Sequence, residues 1–141
     1  MSDAHRSISI ERLSKARYRA TNPDGDTIIV GEGDGSFSPI ELLLTALAAC
    51  TAIDVDYIVG KREEPATFRV RCEANKVRDE EGNHLTDIVV TFDARFDDTE
   101  AGNVAQDVMA RAVKRSHERL CTVSRTVELG TKVKPVIARL T

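Results

Sequence analysis

The segment from Ser38 to Gly60 constrains the fold most strongly, because a clear helix start is followed by residues that leave no polar face. Ser38-Pro39-Ile40-Glu41 has Ser at the N-cap, Pro at the first helical position and Glu at N3, which together form a capping box. The pattern predicts a helix that ends near Gly60, with that glycine as a left-handed cap. From Leu42 to Ile53 the sequence is apolar nearly all round, so the helix has to be covered on every side. A monomer of 141 residues can hardly provide that cover, and the helix therefore favours a dimer.

The length and charge of the chain indicate one domain that is not held by nucleic acid. Its 141 residues match the usual size of a domain, and no repeat or linker divides them, so we expect a single domain over residues 1–141. Twenty Lys and Arg against 23 Asp and Glu give a formal charge of −3, which disfavours binding by phosphate neutralisation. Aromatic residues make up 4% of the chain, which leaves little for stacking on bases.

Neither a membrane span nor an export signal is predicted. No uninterrupted apolar run reaches the roughly 18 residues that a span needs, since Thr45 and Thr51 interrupt the longest one. The segment from Met1 to Ile10 lacks the apolar core of a signal peptide. We therefore expect a cytoplasmic protein with no membrane partner.

The N-terminal part of the chain is typical of a β-hairpin followed by a loop. Leu13 to Thr21 is predicted as one strand, and Thr27 to Val30 as the next. The turn signal Asn22-Pro23-Asp24-Gly25 separates them. Three glycines between Gly31 and Gly35 predict an irregular connection to the central helix.

Two further hairpins and a second helix are predicted after Gly60. Apolar and polar residues alternate over Phe68 to Ala74 and again over Ile88 to Phe96, which is typical of strands with one buried face. Thr99 to Leu120 is predicted as a helix whose apolar stripe runs through Val104, Val108, Ala112 and Leu120. Ser124 to Leu129 and Lys132 to Leu140 are predicted as a closing hairpin, with Pro135 indicating an edge strand. The order ββ-α-ββ-α-ββ predicts an α+β fold of two layers.

Three cysteines carry the main chemical question. They are odd in number, widely spaced and without a CxxC pair, so neither a disulfide scaffold nor a zinc site is indicated. Cys72 falls on the inward face of a predicted strand and is interpreted as structural. Cys50 in mid-helix fits a small core residue as well as a reactive thiol. Cys121 follows the second helix, with His117, Arg119 and Arg125 as possible cationic neighbours.

Two segments around the cysteines resemble a known family. Ser38 to Leu44 running on through Ala46 to Val55 resembles the first-cysteine helix of OsmC/Ohr proteins, and Ser116 to Ser124 is similar to their second-cysteine segment. The element order agrees over residues 13–140. The chain looks most similar to the OsmC-like branch typified by YhfA.

The resemblance implies a thiol peroxidase that acts without a cofactor or a metal. Such proteins are intertwined homodimers in which the two central helices are buried together and the active sites lie at the subunit interface. Cys50 would attack the O–O bond of an organic hydroperoxide and become a sulfenic acid. Cys121 would condense with it to a disulfide, which a dithiol of the lipoyl type would reopen. A nearby second thiol traps a sulfenic acid before further oxidation.

The chain departs from the peroxidases of this family at two positions. Their activating arginine lies in the first hairpin turn, whereas Asn22 to Gly25 contains none. The nearest arginines are Arg17 and Arg19, in the preceding strand. Arg19, Arg125 and His117 are the candidates for the activating cation. The glutamate that holds the arginine would correspond to Glu41, one residue late and nine residues before Cys50, about 13.5 Å along a regular helix. Asp54, one turn after Cys50, would oppose thiolate formation.

These departures leave two functions open. One is a cysteine-dependent peroxidase with Cys50 and Cys121 as the reacting thiols and Glu41 and Arg19 as their supporting residues. The other is a non-catalytic dimer of the same fold whose apolar interfacial pocket binds a small hydrophobic ligand and whose cysteines are structural. The missing turn arginine favours the second function.

Overall fold

The structure is a computed structural model that describes residues 4–140. Strands and helices are mixed along the chain, which confirms the predicted α+β class. The chain divides into two compact units, an N-terminal unit (Met1–Thr45) and a C-terminal unit (Ala46–Thr141). The elements, in chain order, are β1 (Ser9–Ser14), β2 (Arg17–Thr21), β3 (Thr27–Gly31), α1 (Pro39–Val59), β4 (Thr67–Asp79), β5 (Gly82–Arg95), α2 (Glu100–Arg115), a π-turn (Ser116–Leu120) and α3 (Thr122–Glu128).

The N-terminal unit is a three-stranded antiparallel sheet in the order β1-β2-β3. The hairpin of β2 and β3 around Asn22 to Gly25 is confirmed, since Gly25 donates to the Asn22 carbonyl at 3.0 Å. The single predicted strand over Leu13 to Thr21 is wrong, because the chain reverses at Lys15-Ala16 and forms β1 and β2. Ala16 takes a left-handed conformation, φ +60°, and its carbonyl accepts a hydrogen bond of 2.7 Å from the Glu32 amide.

The glycine-rich loop after β3 is confirmed as irregular, and one arginine holds it. The Arg17 guanidinium donates to the Glu32 carbonyl at 2.9 Å and to the Asp34 carbonyl at 3.1 Å. A Cβ at Gly33 would lie 2.4 Å from Nη1 of Arg17. The glycine therefore lets the guanidinium lie against the backbone of the loop.

Helix α1 begins as the sequence predicts. The Ser38 hydroxyl accepts from the Glu41 amide at 3.1 Å, while the Glu41 carboxylate accepts from the Ser38 amide at 2.8 Å. These two bonds complete the capping box. The predicted left-handed cap at Gly60 is wrong, because Gly60 does not take a positive φ, in contrast to Gly130 after α3.

One side of α1 packs within the C-terminal unit and the opposite side is exposed. The buried residues are Leu47, Thr51, Val55 and Val59, which follow each other at intervals of four. Ile53 is 55% exposed and Tyr57 is 74% exposed. These exposed residues show that one chain does not cover α1 on every side, as the sequence predicts for the folded protein.

By length and composition α1 is also long and apolar enough to cross a bilayer. Core helices of soluble proteins pass the same test.

The C-terminal unit packs helices on a long hairpin. β4 and β5 pair antiparallel through the tight turn that Gly82 closes with φ +99°, and their alternating burial confirms the predicted pattern. Val55 and Val59 of α1 meet Ala105 and Ala112 of α2 in the core. The half-buried residues packed against this core are Ile58, Phe68, Phe96, Val108, Met109 and Val113.

The end of the chain differs most from the prediction. Thr99 caps α2 by accepting from the Gly102 amide at 3.0 Å, as expected for a helix starting there. The helix then widens into the π-turn, which leaves Leu120 43% exposed, so Leu120 is not part of the apolar stripe. Val104 is also exposed, because Ala105 takes the inward position.

The predicted closing hairpin is wrong. Ser124 to Leu129 lies in α3 and its C-cap rather than in a strand. Backbone bonds of 2.9 Å from Arg125 to Cys121 and from Leu129 to Arg125 define the helix, and Gly130, φ +65°, ends it in the left-handed conformation. Residues 131–140 form neither strand nor helix, so Pro135 does not lie in an edge strand.

Candidate functional site

Cys50 and Cys121 meet in the C-terminal unit. Cys50 lies in the middle of α1, and Cys121 lies between the π-turn and α3. The Cys50 thiol donates a hydrogen bond to the sulfur of Cys121. Two thiols that are 71 positions apart in the sequence therefore form one site.

The π-turn sets the position of Cys121. Its amide donates to the Ser116 carbonyl at 2.7 Å, a bond that spans five residues where an α-helix spans four. The additional residue turns Leu120 outward and places Cys121 in a fully buried position, with 0% of its surface exposed. From there Cys121 is also the N-cap of α3.

Cys121 receives several hydrogen bonds on its sulfur. The Ser124 amide donates to Sγ at 3.3 Å, a buried bond. Hydroxyl groups of Ser124 and Thr51 donate to the same sulfur, as does Cys50. Burial by itself would raise the pKa of the Cys121 thiol, but these hydrogen bonds outweigh it and lower the pKa.

The pKa of the Cys50 thiol is shifted in the opposite direction. Burial raises the pKa of its thiol, and the hydrogen bond to Cys121 raises it further, as does the Asp54 carboxylate. A backbone hydrogen bond from Val123 opposes this rise. Cys50 is half-buried, whereas Cys121 has no exposed surface. The pair thus combines a partly accessible thiol whose pKa is raised with a buried thiol whose pKa is lowered.

Asp54 and Ser116 connect the two cysteine segments. The Ser116 hydroxyl donates to Oδ2 of Asp54 at 2.8 Å, and Ser116 is 0% exposed. Ser116, Ser124 and Thr51 were not predicted as site residues. Their signal in the sequence was their place in the two segments that resemble the family, Ala46 to Val55 and Ser116 to Ser124.

Two further predicted site residues, Glu41 and Arg19, belong to the other compact unit of the chain. Glu41 is in the first turn of α1, where its carboxylate is engaged in the capping box. Arg19 is in β2 and pairs in register with Glu11 and Ile29. Both belong to the N-terminal unit, and their roles at the cysteine pair stay predictions.

The two cationic candidates of the C-terminal unit flank the cysteine segment. His117 contacts Glu128 with 3.2 Å between Nε2 and Oε1. Arg125 is half-buried in α3. Their proposed part in activating Cys50 also stays a prediction.

Cys72 lies apart from this chemistry, on the inward face of β4. It is half-buried and pairs in register with Val90 of β5. Burial raises the pKa of its thiol, and the neighbouring Glu73 carboxylate adds to the rise. A protonated thiol on a packed strand agrees with the structural interpretation.

A pocket of about 360 Å³ opens beside the pair. Thr51 and Ser124, which both donate to the Cys121 sulfur, lie in its wall, and His117 and Glu128 supply its titratable groups. The apolar residues that line it are Leu47, Ile88, Val89, Val90, Phe92, Val113 and Val127. The space has the apolar lining and few polar groups typical of small-molecule pockets.

The fold and the hydrogen-bonded thiols together define a class of small α+β proteins with a two-cysteine site. Residues 31–136 match the family described as OsmC-like protein. The chain belongs to the OsmC-like family, which confirms the resemblance seen in the sequence.

Known proteins match this chain over most of its length, one of them in sequence and two in structure. The chain is 31% identical over 132 residues to an uncharacterised protein of Mycobacterium tuberculosis, a match that spans 88% of this chain and 90% of that protein. A hypothetical protein of Aquifex aeolicus superposes with a TM-score of 0.74 at 25% identity, covering 94% of this chain and 93% of the other. The organic hydroperoxide resistance protein OhrB of Bacillus subtilis superposes with a TM-score of 0.58 at 15% identity, covering 88% and 90%.

Proposed function

We propose that this protein is a two-cysteine thiol peroxidase that reduces organic hydroperoxides in defence against oxidative stress. The hydrogen-bonded pair of Cys50 and Cys121 carries the proposal. Membership of the OsmC-like family and a shared fold with a protein named for organic hydroperoxide resistance support the substrate class. The chemistry needs two sulfurs, so no cofactor or metal is expected.

Cys50 is the attacking thiol in this proposal, because it is the accessible member of the pair. Its sulfur, after losing its proton, attacks one peroxide oxygen, so that an S–O bond forms and the O–O bond breaks. The departing alkoxide takes up a proton and leaves as the alcohol, and Cys50 becomes a sulfenic acid. Sulfur is oxidised by two electrons and the peroxide is reduced by two.

Cys121 is the resolving thiol. Its sulfur attacks the sulfenic sulfur of Cys50, the S–O bond breaks, and hydroxide leaves and is protonated to water. Hydrogen bonds from Ser124 and Thr51 lower the pKa of Cys121 despite its burial, which favours the ionised form in which a sulfur attacks. A dithiol then reduces the disulfide.

A homodimer is part of the proposal. None of the described residues of the N-terminal unit is buried, although a small sheet needs a packed apolar face to be stable. On α1, Ile53 and Tyr57 leave apolar surface uncovered. A second copy would cover these surfaces, and the expected buried central helices would result. The cytoplasmic location and the expected lack of nucleic-acid and membrane partners stay predictions.

The test is a thiol and product assay on three proteins: the wild type, Cys50→Ser and Cys72→Ser. Reduced protein is mixed with cumene hydroperoxide, after which the free thiols and the cumyl alcohol are measured. The wild type should lose two thiols per chain and form one cumyl alcohol, with a Cys50–Cys121 linkage in the peptide map. Cys72→Ser is the matched control, since it removes a thiol outside the pair, and it should behave as the wild type.

Cys50→Ser should form no alcohol above the rate without protein. An undiminished rate in this variant would reject Cys50 as the attacking thiol. A wild type that keeps all three thiols and forms no alcohol would reject the peroxidase itself.

The pocket beside the pair favours a second candidate function, the binding of a small hydrophobic ligand without turnover. Val90 and Phe92 line it from β5, and its volume of about 360 Å³ suits a ligand of modest size. Displacement of a fluorescent apolar probe by such a ligand, lost in Val90→Asp and kept in Thr91→Asp on the exposed face of the same strand and outside the pocket lining, would support this function. It becomes the better assignment if the thiols do not react.

A further inference from the structure

We propose that Ser124 is a catalytic residue of the reductive half-reaction: its backbone N–H stabilises the departing sulfur of Cys121, so that the reducing dithiol enters at Cys50. The inference rests on the proposed Cys50–Cys121 disulfide. It concerns the direction in which that disulfide is opened and the group that sets this direction.

The two sulfurs differ in how far solvent and a reductant can reach them. Cys121 has 0% of its surface exposed, while Cys50 is half-buried on the flank of α1. Association with a second chain can only remove exposed surface, so Cys121 does not become more accessible in a dimer. An incoming thiolate of any size therefore has Cys50 as the sulfur it can approach.

The two sulfurs also differ in the groups that surround them. The Ser124 amide lies 3.3 Å from the sulfur of Cys121 in a buried bond, and it keeps this place because Cys121 is the N-cap of α3. Negative charge that develops on Cys121 meets a fixed donor with little rearrangement. Cys50 instead has the Asp54 carboxylate as its charged neighbour, which disfavours charge on its sulfur. Disulfides open faster when the more acidic thiol leaves.

The exchange proceeds in two balanced steps. A thiolate of the dithiol attacks Sγ of Cys50, a new S–S bond forms, and the Cys50–Cys121 bond breaks with its electron pair on Cys121. The second thiol of the reductant loses its proton and attacks the first sulfur of the same reductant, which is bonded to Cys50 in the mixed disulfide. The bond to Cys50 breaks, and Cys50 leaves as a thiolate that takes up a proton. The dithiol is oxidised by two electrons, and the cysteine pair is reduced by two.

The first experiment locates the mixed disulfide. The wild-type disulfide is prepared with diamide, so that its formation does not depend on peroxidase activity. A monothiol probe, 2-mercaptoethanol, is added for a short time, the reaction is quenched in acid, and the adduct is mapped to a peptide by mass spectrometry. We expect the adduct on Cys50. An adduct mainly on Cys121 would overturn the inference, and so would the absence of a diamide-induced linkage.

The second experiment removes the N–H itself. Ser124 is the third residue of α3, within the first turn where proline is tolerated, so Ser124→Pro deletes the donor, while Ser124→Ala deletes the hydroxyl and keeps the N–H. Reduction of the diamide-formed disulfide by dithiothreitol is followed at constant pH. Rates depend on thiol acidity with a sensitivity of about one half, so we expect reduction to slow roughly three- to tenfold in Ser124→Pro relative to Ser124→Ala. Equal rates in the two variants would remove Ser124 from the mechanism.

These experiments separate the two proposals. If cumene hydroperoxide is not consumed but the diamide disulfide opens at Cys50, the direction of exchange holds and the peroxidase fails. If peroxide is consumed but the adduct lies on Cys121, the peroxidase holds and the direction fails.

Discussion

The Ser116 hydroxyl donates a hydrogen bond of 2.8 Å to Oδ2 of Asp54, and this bond joins the π-turn to the helix that carries Cys50. Asp54 lies one turn after Cys50 on α1, and Ser116 begins the turn whose far end is Cys121. The bond therefore ties together the two segments that bring the thiols into contact. Because Ser116 is fully buried, its hydroxyl has no water to replace the carboxylate.

The first prediction is that Ser116→Ala lowers the free energy of unfolding. The substitution leaves the partly buried Asp54 carboxylate without this donor, and a hydrogen bond to a charged group contributes roughly 1.5–3 kcal/mol. Urea unfolding followed by circular dichroism measures the change. Ser7→Ala, at an exposed position before β1, is the control and should change little. A loss no larger than in the control would contradict the stated role of the bond.

The second prediction is that Asp54→Asn makes Cys50 more reactive. Burial raises the pKa of Cys50, and the Asp54 carboxylate adds to the rise, so a neutral amide at this position should lower the pKa. More thiolate is then present at any pH below it. We expect alkylation of Cys50 by iodoacetamide at neutral pH to be roughly two- to fivefold faster, as for the loss of one partly screened charge.

The control for this substitution is Asp56→Asn, which removes the same charge from an exposed position two residues further along α1. Its alkylation rate, read for the Cys50 peptide by mass spectrometry, should match that of the wild type. A slower reaction in Asp54→Asn would mean that the carboxylate assists ionisation of Cys50, contrary to the geometry.

Local chemistry made part of this fold predictable. The capping box of Ser38 and Glu41 and the turn at Asn22 to Gly25 depend on residues within three or four positions of each other, and both form as predicted. Apolar and polar residues alternate along β4 and β5 because one face of each strand is buried and the other is exposed, and this pattern can be read from the sequence. The cysteine pair was predictable through its family resemblance, because two conspicuous segments carry it.

The remaining features depend on interactions that periodicity does not record. Lys15-Ala16 has none of the usual turn residues, yet the chain reverses there. Thr126 and Val127 are β-branched and favour a strand, yet both lie in α3. This helix begins where the Cys121 sulfur accepts a hydrogen bond as the N-cap, and sulfur is not among the usual N-cap atoms. The single additional residue of the π-turn decides that Cys121 rather than Leu120 faces inward.

The third prediction concerns which thiol of the pair ionises first. Although burial opposes it, hydrogen bonds from Cys50, Ser124 and Thr51 lower the pKa of Cys121, whereas burial and Cys121 itself raise that of Cys50. In Cys50→Ala, Cys121 loses a donor, and its pKa should rise. In Cys121→Ala, Cys50 loses both the acceptor of its proton and a neighbouring charge, and its pKa should fall.

The pKa of the remaining thiol in each variant is measured from its thiolate absorbance at 240 nm as a function of pH. Asp54 is unchanged in both variants, so the charged neighbour of Cys50 stays the same. All proteins carry Cys72→Ser, since burial and Glu73 raise the pKa of that thiol and its titration would overlap. Shifts of the opposite sign in the two variants would place the thiolate on Cys50 instead.

The fourth prediction is that Ile53→Glu weakens the proposed dimer. Ile53 is 55% exposed on the uncovered side of α1, and in the proposed dimer a charge there would be buried without a partner. Sedimentation velocity at several concentrations should show the dissociation constant of the variant increased at least tenfold. Gln106→Glu, an exposed change on α2, should leave it unchanged. A wild type that is monomeric at tens of micromolar would contradict the dimer.

The fifth prediction compares two glycines that share a left-handed conformation but differ in their surroundings. At Gly31, φ +113°, an added Cβ would lie 2.0 Å from the Ala16 carbonyl oxygen, whereas at Gly25, φ +90°, nothing lies within 4 Å. Gly25→Ala should cost about 1 kcal/mol from backbone strain alone, and Gly31→Ala should cost at least about 2 kcal/mol, since the clash adds to the strain. The clash would separate β3 from the Lys15-Ala16 turn, so amide exchange in β2 and β3 should accelerate in Gly31→Ala and stay near the wild-type rate in Gly25→Ala. Equal exchange in the two variants would show that the close approach of Gly31 to Ala16 does not hold the sheet together.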